Sequence, residues 1–367
     1  MEISQDMYNA TSDVLDLPCF KFSGFMTDGN GKIISATELK KMYRAFSTAP
    51  ANAISTIALA LKTDKKVRPE IREKRGILVI PETIFNFAAE PQAFTIVEGP
   101  GTIQVNVGIF ISLLAMTYTI AWFQNILHRS SHISIDEIEN LVIPREILIE
   151  MHDVMKIWNS VDNTGSSGLD DIWDHMDRKN LEVARIPLQK MLVFVTFHEF
   201  FHWYKTVCLS DAWEEIRGRV KNELTSWLSE DPTVSKAIRQ NISLLFKSDP
   251  KAFEYWTEEI QADLMASEYC RDYFPGGFSD LYATQAWLYS MLLMMQEVFY
   301  KFIAKKAMSM RTHPPANIRQ SIICYINARH LKISQVEFLT KQWGTGVIIS
   351  ALMSRIFTLY FSMLSNN

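Results

Sequence analysis

Apolar positions along this chain follow two different periods. Between residues 76 and 107 they come in short runs: GILVI (76–80), AFTIV (93–97) and the alternating GTIQVNV (101–107). Together they predict a small early sheet of about three strands, with PETIFNFAAEPQ (81–92) as a connection. From residue 109 onward the helical period dominates. IFISLLAMTYTIAWFQNIL (109–127) reads as a buried helix, and the apolar stretches 284–300 and 346–364 as core helices. The clearest break is NSVDNTGSSGLDD (159–171), whose Ser, Gly, Asn and Asp content predicts a surface loop. The expected class is α+β, mainly helical. Residues 1–75 read as a helical accessory region, 76–335 as the principal domain with an insertion around 129–190, and 336–367 as a C-terminal packing helix.

Composition narrows the functional classes. A chain of 367 residues with 48% hydrophobic and 21% charged residues is too apolar to be disordered. Lys plus Arg number 37 against 41 for Asp plus Glu, a net charge of −4, so there is no basic excess with which to bind nucleic acid. Cys19, Cys208, Cys270 and Cys324 are widely spaced and form no CxxC, which suits buried thiols in a reducing compartment. The N-terminal sequence has no basic flank leading into an apolar run, so a cytoplasmic location is expected. From Gly99 to His128 there is no Asp, Glu, Lys or Arg, a length that could span a bilayer. Gly99, Pro100, Gly101, Gln104, Asn106, Gln124 and Asn125 interrupt it, so membrane association is the less favoured alternative.

The candidate chemistry centres on LVFVTFHEFFHWYKT (192–206), which contains His198-Glu199-Phe200-Phe201-His202. On a helix, residues i and i+4 share a face, so both imidazoles can reach one metal ion. Glu199 flanks that face, within reach of a water in an open coordination position. The alternative is a pair of core histidines, but that would bury a carboxylate on an apolar helix without a partner. A third ligand would come from a second helix. FEYWTEEIQADLMASEYC (253–270) offers Glu259, with Asp263 one turn on to orient a neighbouring group, and Ala262 would permit close packing. Glu258 is the rival ligand. Further on, Arg311-Thr-His-Pro-Pro-Ala-Asn-Ile-Arg319 places His313 before proline, on a bend into a new helix. There His313 could donate to a developing oxyanion and Arg319 could pair with Asp263. An ordinary helix-start turn with an exposed histidine is the plainer account of that segment.

The three pieces together resemble the gluzincin zinc metallopeptidases, whose pattern is HExxH, then ExxAD, then His-Pro with an Arg six residues after the His. Membrane peptidases that process prenylated proteins share this pattern, as do their soluble relatives and the Lit-type phage-exclusion peptidases. The run TIQVNVGIFISLLAMTYTIAWFQNIL (102–127) looks closest to the Lit type. The resemblance implies a zincin-like core made of an active-site helix, a second ligand helix and a small sheet. It implies zinc on His198, His202 and Glu259, with Glu199 activating water, His313 assisting the oxyanion, and Asp263 paired with Arg319. The bulky Phe200 and Phe201 depart from the family, where the residue before the second His is small. With the loop 159–171 they are candidates for gating. The expected activity is zinc-dependent hydrolysis of peptide bonds in a polypeptide substrate, with phage exclusion as the setting. A protease free in the cytoplasm needs restraint, through a narrow substrate range or an activator protein or peptide. The sheet edge near 93–97 or 102–107 could take substrate as an added strand. The alternatives are a membrane-anchored peptidase of the same type, a non-catalytic protein with a retained metal site, and a metal-dependent hydrolase of a non-peptide amide.

Overall fold

The computed structural model describes the stretches 178–274 and 310–341 continuously. It also describes short strands between 21 and 106, positions within 65–69 and 140–148, parts of 276–292, Trp343, and parts of 351–363. Most of 1–75, the helix expected at 109–127 and the loop 159–171 lie outside the described residues. What is described is mostly helical.

Among the described residues four strands form one sheet: β1 (Lys21–Phe22), β2 (Glu82–Asn86), β3 (Ala93–Ile96) and β4 (Thr102–Asn106), in the order β1-β2-β4-β3. The first two junctions are parallel, with Ile84 facing Lys21 on one side and Gln104 on the other. The last is antiparallel, pairing Thr95 with Ile103, and leaves β3 at an edge. Two differences from the sequence reading stand out. Glu82–Asn86, taken as a connection, is an inner strand with neighbours on both sides. ETIFN holds only two adjacent apolar residues, neither an alternation nor a run, and so gave no strand signal. The supposed accessory region also supplies β1, and it reaches the helical body at Val67, which is buried and bridges to Cys208.

The helices with described bounds are α1 (Arg178–Val207), α2 (Ser210–Glu230), α3 (Lys236–Ser248), α4 (Pro250–Tyr273), α5 (Ala316–Leu331) and α6 (Gln335–Lys341). Helix α1 starts inside the segment read as an insertion. Its second half is apolar on nearly every side, with Leu192, Val193, Phe194, Phe197, Phe200, Phe201, Trp203 and Tyr204 all buried. A helix hydrophobic all round belongs in a core. Helix α4 opens with Pro250, whose missing N–H costs nothing in the first turn. Trp256, Ile260, Ala262 and Ala266 are buried along it. Helices α1 and α4 run antiparallel, since His198 meets Asp263 while Lys205, two turns later, meets Glu258. Helix α5 begins after Pro315 and ends at Lys332, whose left-handed backbone (φ 56°) stops it. Cys208, Cys270 and Cys324 are buried.

Candidate metal centre

Three helices and one strand converge on the candidate residues. On α1 the four-residue spacing sets His198 and His202 on one face, with ring centroids 4.9 Å apart. On α4 the same spacing aligns Glu259 and Asp263. Ligand atoms of His198, His202 and Glu259 gather into a group that could hold a metal ion. The Nε2 atoms of the two histidines lie 3.2 Å apart. Each lies 3.5 Å from a Glu259 carboxylate oxygen. Nitrogen and oxygen donors at about 2.0–2.1 Å from a tetrahedral ion stand about 3.3 Å from one another. The two imidazole nitrogens stand at that spacing, Glu259 presents Oε2 to His198 and Oε1 to His202, and the donor set fits a borderline divalent cation.

Around this face the partners are specific. Nδ1 of His198 is 2.9 Å from Oδ1 of Asp263, which has no solvent exposure. That carboxylate holds the Nδ1 proton and turns the Nε2 lone pair toward the group. Arg319 grips Asp263 with two hydrogen bonds of 2.6 Å, from Nε to Oδ2 and from Nη2 to Oδ1. Its Nη1 lies 3.4 Å from Glu259. Tyr289 donates a further hydrogen bond of 3.0 Å to Oδ2. Ser267 accepts from Gln285 and donates to the Asp263 carbonyl, so polar groups line this side of α4.

Electrostatics follow from this arrangement. Burial alone would push His198 down. Hydrogen bonds to Asp263 and Glu259, with the Asp263 charge, override it and bring the imidazole up to about 9. Burial raises the carboxyls, yet the His198 hydrogen bond and neighbouring positive charges hold Glu259 well below the usual carboxylate range. Arg319 outweighs burial at Asp263 and brings it down to about 2. Burial raises the Tyr289 phenol well above its ordinary value, so it stays a neutral donor. Without a metal His198 thus keeps a proton held by the Asp263 and Glu259 carboxylates, and a cation would displace it.

His313 sits on the turn before α5. A hydrogen bond of 2.9 Å from the Trp256 indole to the Met310 carbonyl fixes that turn against α4. Its Nε2 lies 3.6 Å from Oε1 of Glu259, but it does not belong to the three-residue group. It is the most exposed of the candidate side chains, and burial of its ring lowers its pKa. Glu258 lies outside the group, held by Lys205 at 2.6 Å and by Arg217 at 3.8 Å. Glu199 is buried, and its carboxylate accepts from the Thr95 hydroxyl of β3 at 3.1 Å.

Phe200 and Phe201 do not suit a gate. Each is 1% exposed, and they pack edge to face on one another and against Trp203, Tyr204 and Tyr269. Moving either would open the core. Thr95 and Tyr289 touch the site but were not singled out from the sequence. A lone Tyr in an apolar stretch carries no signal, and Thr95 was legible only as part of a strand. Among the described residues no helix is long and apolar enough to cross a membrane. No known protein family, curated protein or solved structure matches the chain.

Proposed function

We propose that this chain is a zinc-dependent endopeptidase with a zincin-like core, acting on a particular protein substrate. The observation that carries the reading is the cluster of His198, His202 and Glu259, whose imidazole Nε2 atoms stand 3.2 Å apart and each 3.5 Å from a different oxygen of the Glu259 carboxylate, with a buried glutamate next to its first histidine. A zinc ion held there would supply Lewis-acid polarisation of the scissile carbonyl and acidify a water. Glu199 takes a proton from that water and returns it to the departing amine. His313, on its exposed turn, donates to the carbonyl oxygen as negative charge develops. Asp263 keeps the Nδ1 proton on His198, so that Nε2 remains a donor, and Arg319 neutralises Asp263. Among the described residues β3 pairs on one side only, and it lies next to the active-site helix, which suits a substrate added as a strand. A glutamate in this position has no use in simple ligation, which favours catalysis over a structural metal. The likeness to the Lit-type peptidases makes phage exclusion the proposed setting.

The test is metal analysis followed by a search for cleavage. Purified protein is expected to carry about one zinc per chain. Incubated with a cell extract, it is expected to generate new protein N-termini that Glu199→Gln does not. A chelator should abolish them, and added zinc restore them. Absence of metal from the wild type after zinc is supplied would overturn the reading.

A further inference from the structure

Among the described residues, one hydrogen bond reaches the Glu199 carboxylate, and it comes from Thr95. The Thr95 hydroxyl lies 2.6 Å from the Glu199 carbonyl and 3.1 Å from Oε2 of the same residue. It therefore spans the backbone and the side-chain end of one glutamate. A hydroxyl has a single proton to donate. Given to the carboxylate, it makes a charge-assisted bond that fixes one oxygen and leaves the other unclaimed. The geometry is unusual in its reach, since the two residues are 104 positions apart and belong to different elements.

Strand β3 supplies this contact from the edge of the sheet. Its backbone is held on one side, through the register Thr95 to Ile103 and Ala93 to Val105. Ile103 is fully buried, which anchors that register. Thr95 is partly buried against α1, where the bond to Glu199 is shielded from competing water.

We propose that Thr95 is a positioning residue for Glu199: its hydroxyl holds the carboxylate in one orientation beside the metal group. This rests on the zinc peptidase reading. The side chain touches no metal ligand and no substrate in this role. It acts by removing rotamer freedom from a glutamate that must meet a water at a defined place. It also makes the orientation of Glu199 depend on where the edge strand lies.

The test uses Thr95→Val, which keeps the shape and deletes the hydroxyl, and Thr95→Ser, which keeps the hydroxyl. Zinc content of each is measured first. Binding of acetohydroxamate to the zinc-loaded proteins then follows by calorimetry, with Glu199→Gln as control and folding checked by circular dichroism. A hydroxamate chelates zinc and hydrogen-bonds an adjacent carboxylate, so its affinity reports where that carboxylate points. Thr95→Val is expected to keep its zinc and bind about tenfold more weakly, while Thr95→Ser stays within about twofold of wild type. If Glu199→Gln weakens binding and Thr95→Val does not, the positioning role is wrong and the peptidase reading stands. Loss of zinc in Thr95→Val would mark a structural role and also overturn the inference. If the wild type takes up no zinc, the peptidase reading falls first.

Discussion

Asp263→Asn tests whether the site is organised as the structure implies. Asp263 has no solvent exposure and accepts from His198, Arg319 and Tyr289. An asparagine has nearly the same shape, but its amide nitrogen must face a donor. Oriented toward His198, its oxygen preserves that bond and the one from Arg319 Nη2, but its NH2 opposes Arg319 Nε, and the buried guanidinium loses the negative charge it was paired with. Breaking a buried ion pair from one side costs about 3–5 kcal/mol, which urea unfolding of the metal-free protein would measure. Oriented the other way, it leaves His198 without its acceptor. Loss of such an outer partner lowers metal affinity about 10–100-fold, read by competition with a chromophoric chelator. The two effects separate in Asp263→Leu combined with Arg319→Met. An apolar pair of similar volume should recover most of the stability, since neither charge is left alone. Zinc affinity should stay low. If Asp263→Asn changes stability by less than about 1 kcal/mol and leaves zinc affinity intact, the Asp263–Arg319 pair is not the scaffold argued here.

Three further outcomes follow from the same contacts. Glu259→Ala should remove most bound metal, whereas Glu258→Ala should keep it and cost at most about 1 kcal/mol, as its bond to Lys205 is a surface pair; elemental analysis and urea unfolding distinguish them. In the metal-free protein the raised His198 contributes stability that is complete below its ordinary 6.5 and lost as pH rises through about 9. The depressed Glu259 and Asp263 act oppositely, losing their contribution only as pH falls through their folded values in strong acid. Stability of the metal-free chain, followed by urea unfolding across this range, should thus decline toward pH 9, and metal loading at a pH between 6.5 and 9 should release a proton, seen by calorimetry in buffers of different ionisation enthalpy. Phe201→Ala should lower stability by about 3–5 kcal/mol with metal affinity unchanged in the folded fraction, as expected of a core aromatic and not of a gate.

Much of the site is written in local spacing. His198 and His202 share a face because a helix repeats every 3.6 residues, and that follows from the run LVFVTFHEFFHWY alone. Glu259 with Asp263 obeys the same rule, and the proline after His313 sets the bend into α5. Helix content was legible for the same reason. The strand Glu82–Asn86 was not, because its two apolar residues are too few for a run or an alternation, and its pairing with β1 and β4 alone makes it a strand.

Other features depend on how distant elements pack. Glu258 and Glu259 are adjacent and chemically identical, and about 100° of helix rotation separates them. Only the docking of α4 on α1 turns Glu259 toward His198 and His202 while Glu258 meets Lys205. Tyr289 reaches Asp263 across 26 residues, and Thr95 reaches Glu199 across 104. Nothing near either residue announces the contact, because hydrogen bonds between elements are fixed by relative position and not by neighbours in the chain. The aromatics Phe200 and Phe201 make the same point. Their bulk was visible in the sequence, but whether it closed a site or filled a core was settled by what surrounds them. The sequence by itself thus determined which residues could act together on one helix face. The tertiary structure decided which of them meet, and which side chains from elsewhere hold them in place.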